Sequence, residues 1–195
     1  MSDGLSFNRF VARVLKLCAA VSESGFDPEA HAESLAALAA DLDLSDPTLV
    51  ARFEALERGQ AQDYLTDTVV ETESGGVMLV SLLAGGGVGL HNHPHQSGFV
   101  LCCRGEVAVD TFEIASREPL QLRQRASGAL GPGQTASLTP TRENLHRLHC
   151  PVATRLVDVF TPPLTESMRK NCRMFHLERE TEPGLFLAES WAPNG

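Results

Sequence analysis

The segment GLHNHPHQSGFVLCCRGEV, residues 89–107, contains three histidines within five positions, followed by two apolar runs that flank an Arg-Gly pair. Short apolar runs joined at a glycine are typical of a β-hairpin. Alternate residues of a strand point to one face, so the imidazoles of His91 and His93 are expected to occupy the same space. The spacing therefore predicts a metal site inside a barrel. A solvated hairpin tip and a pair of buried core histidines are the alternatives.

The chain after residue 64 keeps this strand-like character. Short runs rich in Val, Leu, Thr and Phe are broken by Gly and Pro. Turn residues recur about every ten positions, which is the spacing of an all-β sandwich or barrel. Residues 181–195 are predicted to form a tail, which Trp191 either holds in place or leaves frayed.

The N-terminal part has a different, helical pattern. Apolar residues recur at helical spacing over residues 5–22, 28–40 and 47–58. The third of these begins at Asp46 and Pro47, a pair that is favoured at helix starts. We expect residues 1–60 to form a helical segment packed outside a barrel made by residues 61–195, the two together forming one domain.

Composition excludes several classes of protein. The net charge is −9 and no cluster of Lys and Arg could follow a phosphate backbone, so nucleic-acid binding is not expected. The sequence has no run of about 18 apolar residues, which a membrane span needs, and no signal-peptide pattern. The five cysteines are odd in number and form no CxxC pair, which argues against a disulfide framework. We expect free thiols in a reducing cytoplasm, where iron stays ferrous, and a monomeric protein.

The histidine segment resembles the first histidine motif of the cupin family. The matching residues are Gly85, His91, His93 and Gly105. The resemblance implies a mainly β fold, the cupin-type β-barrel (double-stranded β-helix or jelly roll). Cupins usually carry a glutamate four or five positions after the second histidine, where this chain has Ser97 and Gly98.

A second cupin motif supplies one more histidine from a later strand. The stretch ENLHRLH, residues 143–149, offers either His146 or His149. Three neutral histidines without a carboxylate leave a ferrous ion its full charge, which favours an anionic ligand such as a thiolate. Zinc is also compatible with three histidines, so the ligands alone do not fix the metal.

Two stretches resemble the thiol dioxygenases, and within them the group of cysteamine dioxygenase and plant cysteine oxidase. The first is residues 89–107, with its His-Asn-His-Pro order. The second is ENLHRLHCPVATRLVDVFTPPL, residues 143–164. Its matching residues are Asn144, His146, Asp158, Pro162 and Pro163. Glu71 and the segment at residues 169–175 also fit, so the resemblance covers residues 65–175.

The resemblance implies that His91, His93 and His146 bind Fe(II). His95 stands where the group usually has glycine. His149 is expected to face the other side of its strand from His146. Neither of these two is therefore expected to bind the metal.

Asp158 is the candidate catalytic residue. It shares a strand face with Leu156 and Phe160, and a carboxylate between apolar neighbours is costly to bury unless it is paired. The resemblance implies a group near the iron that orients the substrate or its amine. The alternative is a structural aspartate held by backbone amides or an arginine. The candidates for an apolar lining, or for plain core, are Leu79, Leu101, Val157 and Phe160.

The implied reaction adds O2 to the sulfur of an aminothiol and yields a sulfinic acid. Animal-type cysteine dioxygenase recognises the carboxylate of free cysteine with an arginine on an early strand, but residues 63–71 here contain no cation. Cysteamine or the N-terminal cysteine of a peptide is therefore the expected substrate, together with O2. The alternatives are another cupin metalloenzyme with a non-thiol substrate and a catalytically silent cupin that binds a metal or ligand.

Two departures from the group bear on the pocket. Relatives carry a tyrosine near the iron, whereas Leu164 and Met174 stand at those positions here and Tyr64, the single tyrosine, lies outside the β motifs. The usual Gly-Gly before Asn-x-His is replaced by Arg142 and Glu143, which predicts charge at the pocket mouth.

Overall fold

The computed structural model describes residues 4–21, 26–59, 62–140, 144–162 and 170–193. Within these ranges three helices precede eleven strands. The helices are α1 (Phe7–Ala20), α2 (Pro28–Ala39) and α3 (Pro47–Glu57). The strands are β1 (Tyr64–Glu71), β2 (Gly76–Leu82), β3 (Gly87–Asn92), β4 (Ser97–Arg104), β5 (Val107–Arg117), β6 (Leu120–Leu130), β7 (Thr135–Leu138), β8 (Leu145–His149), β9 (Thr154–Thr161), β10 (Met174–Glu182) and β11 (Leu185–Trp191).

The three helices form where the sequence predicts them. Helices α2 and α3 each begin at an Asp-Pro pair, and the carboxylates of Asp27 and Asp46 accept hydrogen bonds from backbone amides of the first turn. These bonds satisfy amides that have no partner within the helix. None of the described helices is long and apolar enough to cross a membrane.

The strands form two layers. Five strands make a sheet in the order β1-β2-β9-β4-β7, and six close into a barrel in the order β10-β11-β6-β5-β8-β3. The strands β4 and β5 are joined at Arg104 and Gly105, and Gly105 has a φ of +86°, a conformation that glycine adopts without strain. The predicted strands and the turn between them are present, but the predicted hairpin is wrong, because β4 pairs with β7 and β9 whereas β5 pairs with β6 and β8. The turn at Gly105 therefore crosses from one sheet to the other.

The five-stranded sheet buries both of its faces. One face packs under the helices, where Phe10, Val14 and Leu35 join Leu79 and Val157 in one apolar cluster. The other face packs toward the six-stranded layer in a second cluster. The prediction of a mainly β fold with the helices packed outside is confirmed.

The predicted tail at the C-terminus is wrong over its described part. Strands β10 and β11 form an antiparallel hairpin, and β11 pairs with β6 while Met174 of β10 pairs with His91 of β3. The hairpin therefore closes the six-stranded barrel. Trp191 ends β11 with 48% of its surface exposed, so it does not hold the segment by burial. The strand pattern was obscured because one face of this hairpin is in solvent and carries charged residues.

Candidate metal centre

Three histidines from two paired strands converge in one cavity. His91 lies in β3, and His93 follows one residue after the end of that strand. His146 lies in β8 and is the direct cross-strand partner of His91. Facing residues of an antiparallel pair project to the same side of the sheet, which brings the third imidazole to the other two.

The three side chains meet through their Nε2 atoms. The Nε2 of His93 lies 2.8 Å from that of His91 and 3.0 Å from that of His146. His93 and His146 are buried, with 8% and 7% of their surface exposed. Among the described residues this is the group of His, Cys, Asp or Glu side chains that could hold a metal ion.

Hydrogen bonds fix the protons of two of these rings. The Nδ1 of His91 lies 2.7 Å from the backbone carbonyl oxygen of Gly89, which only accepts. The Nδ1 of His93 lies 3.3 Å from Oε1 of Gln96. Both Nδ1 atoms therefore donate. A neutral imidazole with a proton on Nδ1 has a lone pair on Nε2.

Burial keeps the three rings uncharged. It lowers the pKa of His91 and His146, and together with neighbouring His91 it lowers the pKa of His93 to about 3. Neutral rings in these tautomers place the Nε2 lone pairs of His91 and His93 against each other. Facing lone pairs repel, and a divalent cation among the three nitrogens removes that repulsion. The donor set therefore fits a metal ion.

The metal-binding group lines a cavity of about 320 Å³. The ring of Phe160 stacks on His93, with 4.9 Å between the ring centroids and an interplanar angle of 18°. The other apolar side chains of the lining are Met78, Val80, Val88, Leu148, Leu156, Met174 and Pro193.

Of the four candidates for lining or plain core, Phe160 lines the cavity, whereas Leu79, Leu101 and Val157 are core residues. These three belong to the cluster beneath the helices. Strand alternation explains the difference, because Val157 lies between Leu156 and Asp158 and points to the opposite face of β9. The prediction that Asp158 shares a face with Leu156 is confirmed, since both line the cavity.

Asp158 reaches the same cavity from β9. Burial raises the pKa of its carboxyl to about 8, although a backbone hydrogen bond from Val159 acts in the other direction. No arginine or lysine forms an ion pair with it among the described residues. The alternative in which an arginine holds Asp158 therefore finds no support among the described residues.

Two residues of the cavity were not predicted from the sequence. Tyr64 lines the cavity from β1 and keeps 42% of its surface exposed, and partial burial of its phenol together with the charge of Asp158 raises the pKa of that phenol to about 12. Arg173 also lines the cavity, at its exposed edge, where its guanidinium donates to the backbone oxygens of Lys170 and Cys172. The cavity therefore has a cation, Arg173, although residues 63–71 contain none.

The remaining histidines of the two motifs lie at the surface. His95 is exposed and has a φ of +63°, the left-handed conformation that glycine adopts most readily. His149 is exposed on β8, on the face opposite His146. Glu71 is exposed at the end of β1. The predicted charge at Arg142 and Glu143 lies outside the described residues, as does Leu164.

Sequence comparison decides the family. The family model PCO_ADO, for cupins of the cysteine and cysteamine dioxygenase type, matches residues 36–186. The chain belongs to the PCO_ADO family. Membership in PCO_ADO supports a thiol dioxygenase-type enzyme in general and leaves the substrate open. No curated protein matches the sequence.

Several solved structures resemble this PCO_ADO protein in part. A cupin superfamily protein from Desulfitobacterium hafniense is 14% identical with a TM-score of 0.43, and the match covers 55% of this chain and 84% of that one. KdgF from a Halomonas species is 15% identical with a TM-score of 0.43, covering 56% of this chain and 87% of its own. The cupin domain of Cnp3 from Schizosaccharomyces pombe is 12% identical with a TM-score of 0.41, covering 59% and 74%. We infer no function from these three.

Proposed function

We propose that this protein is a non-haem Fe(II) thiol dioxygenase that converts an aminothiol to a sulfinic acid, R–SH + O2 → R–SO2H. Both oxygen atoms of O2 are transferred to sulfur, which is oxidised as O2 is reduced. The expected substrates are cysteamine and the N-terminal cysteine of a peptide. The observation that carries the proposal is the convergence of three neutral imidazoles, without a carboxylate, in the cavity of a PCO_ADO protein.

In this proposal His91, His93 and His146 hold the ferrous ion. The iron supplies the redox chemistry that joins a thiol to O2. Three neutral ligands do not compensate its double positive charge, so the site favours an anionic sulfur ligand. A ligand set with a carboxylate would have a weaker preference of this kind.

The apolar side chains around the histidines exclude water from the site. Phe160 covers one face of His93, and Met78 and Leu156 line the cavity on the adjacent strands β2 and β9. A cavity of about 320 Å³ accommodates an aminothiol and leaves space toward its open edge. A low-polarity cavity strengthens the electrostatic interactions within it.

Asp158 is proposed to receive a proton from the substrate amine. Its carboxyl has a pKa of about 8. At neutral pH this carboxyl is therefore mostly protonated, and its ionised fraction is the proton acceptor. The α-amino group of a peptide has a pKa of about 7.7–8.0, so transfer of its proton to that ionised fraction is nearly balanced in free energy. The amine of cysteamine, an alkylamine like that of lysine with a pKa of about 10.4, holds its proton more tightly. A neutral amine keeps a lone pair with which to bind. Both groups would be held close together in the cavity, which favours the transfer.

The expected setting of the reaction is the cytoplasm, where thiols stay reduced and iron ferrous. None of the five cysteines, all of which lie in the described part of the chain, forms a disulfide, which fits such a compartment. We expect the enzyme to work as a monomer.

A substrate panel tests the proposal. Protein loaded with Fe(II) without oxygen is mixed with aerated cysteamine, cysteine, a peptide with N-terminal cysteine, or 2-mercaptoethanol, which lacks the amine. We expect oxygen uptake and a product heavier by two oxygen atoms with cysteamine or the peptide. Asp158→Asn should lower kcat/KM for these amine substrates by about 10²-fold or more, the usual contribution of a proton-transfer group. Slow turnover of 2-mercaptoethanol should change much less.

Two results would contradict the proposal. Oxygen uptake only with a non-thiol compound would indicate a different cupin enzyme. Bound iron without uptake on any thiol would indicate a silent metal-binding cupin. Rapid turnover of free cysteine would support the proposed reaction but change the expected substrate. Arg173 would then be the cation that binds the carboxylate of cysteine.

A further inference from the structure

His93 is held by a side chain, whereas His91 is held by backbone. The Nδ1 of His91 donates to the carbonyl oxygen of Gly89. The Nδ1 of His93 faces Oε1 of Gln96 at 3.3 Å, and Gln96 has no exposed surface. A fully buried amide next to a metal-binding histidine is costly unless its hydrogen bonds are made.

The amide of Gln96 can point in one direction only. Its Nε2 donates to the backbone carbonyl oxygen of Pro162 at 2.9 Å, and a carbonyl oxygen cannot donate. The amide oxygen therefore faces His93 and accepts the proton of Nδ1. Without this acceptor His93 could place its proton on Nε2, which is the atom that faces His91 and His146.

The carbonyl of Pro162 is itself fixed by the helical segment. Thr161, the preceding residue, has 2% of its surface exposed. Its hydroxyl lies 2.9 Å from Sγ of Cys18 in α1 and 3.1 Å from Nε2 of His31 in α2. Helices α1 and α2 therefore hold the end of β9, which in turn orients Gln96.

We infer that Gln96 is a positioning residue, which sets the tautomer and the direction of His93 for metal binding. The inference rests on the proposed metal site and adds a residue that neither histidine motif predicts. It also gives the N-terminal helices a part in the site, since they fix the acceptor that orients the amide.

The test measures metal affinity rather than activity. Gln96→Met keeps the size of the side chain and removes its hydrogen bonds, whereas Gln96→Glu keeps an oxygen toward Nδ1 and loses the donor to Pro162. Thr139→Val is the matched control, because Thr139 is 2% exposed and bonds Glu29 away from the cavity lining. The probe is Co(II), followed by its visible absorption and by competition with a chelator. The Tm of each metal-free protein reports the cost to folding.

We expect Gln96→Met to bind Co(II) about 10–100-fold more weakly, with an altered Co(II) spectrum, as removal of such a partner usually does. Gln96→Glu should keep most of the affinity although its Tm falls. Thr139→Val should lower the Tm and leave the affinity unchanged.

Gln96→Met with the affinity and spectrum of the wild type would overturn this inference and leave the proposed function standing. The inference would also be overturned if Co(II) affinity fell in proportion to the Tm in all three variants, because Gln96 would then have only a structural role. A wild-type protein that binds neither Co(II) nor Fe(II) would overturn the proposed function and this inference together.

Discussion

The two faces of the five-stranded sheet are built from the same strands and differ in what they contain. Toward the helices, Leu79, Leu101 and Val157 have no exposed surface and pack in an apolar cluster. Toward the cavity, Met78 and Asp158 lie beside an open space. Neighbouring residues thus have opposite surroundings, because strand side chains alternate between the faces. The helix side is filled by packed side chains, whereas the other side combines a packed cluster with the cavity.

The two faces of β8, in the other layer, also differ in what surrounds them. This difference gives the prediction with the largest expected effect. His146 and His149 are on opposite faces of this strand, one buried with the metal-binding group and one exposed. His146→Ala should abolish tight Fe(II) binding and thiol-dependent oxygen uptake, since two histidines cannot complete the site. Bound iron is measured after gel filtration, and uptake with an oxygen electrode.

His149→Ala is the control within the same strand, and it should keep both iron and activity. Equal losses in the two variants would mean that the faces of β8 do not separate the site from the surface. Retained iron in His146→Ala would mean that another group completes the ligand set.

The second prediction compares adjacent residues of β2. Leu79→Ala should lower the free energy of unfolding by about 2–5 kcal/mol, because it leaves a void under the helices. Met78→Ala should cost less, since its side chain already borders an open cavity. Urea denaturation gives the two free energies. Activity per folded molecule should stay near wild type in Leu79→Ala, whereas Met78→Ala should change the KM for the thiol. A larger loss of stability in Met78→Ala would contradict the division between the faces.

Much of the fold could be predicted from the sequence, because its signals are local. Asp-Pro pairs mark two helix starts, and Gly105 marks the turn after the histidine segment. The hairpin of β10 and β11 was missed because its exposed face carries charged residues and hides the alternation. Its role in closing the barrel depends on pairing with β3 and β6, which are distant in sequence.

The candidate site divides in the same way. His91 and His93 stand out by spacing, and His146 follows from a second motif. Tyr64 and Arg173 carry no local signal, because strand pairing and a distant segment bring them to the cavity. Gln96 was missed for a related reason. Its role depends on the carbonyl of Pro162, which is far along the chain.

The third prediction concerns the charge on the cavity face. The pKa of the Asp158 carboxyl is about 8 in the folded protein, against an ordinary value of 3.8 for an aspartate in water. Between these values the folded state retains a proton that the unfolded state has released, so this group makes stability fall as pH rises from about 4 to about 8. Asp158→Asn removes the titration. Its Tm should therefore exceed that of the wild type at pH 9 by more than at pH 5.

The comparison uses metal-free protein and the difference between the two Tm values. The lowered pKa values of the three histidines reduce stability at acid pH, but they do so in both proteins and cancel in the difference. Each kcal/mol moves the Tm by about 2–4 °C in a chain of this size. A Tm difference that does not change with pH would mean that water or a neighbouring group compensates the ionised carboxylate. Asp158 would then be unsuited to exchange a proton with an amine at neutral pH, and the contrast between the two faces would be one of packing alone.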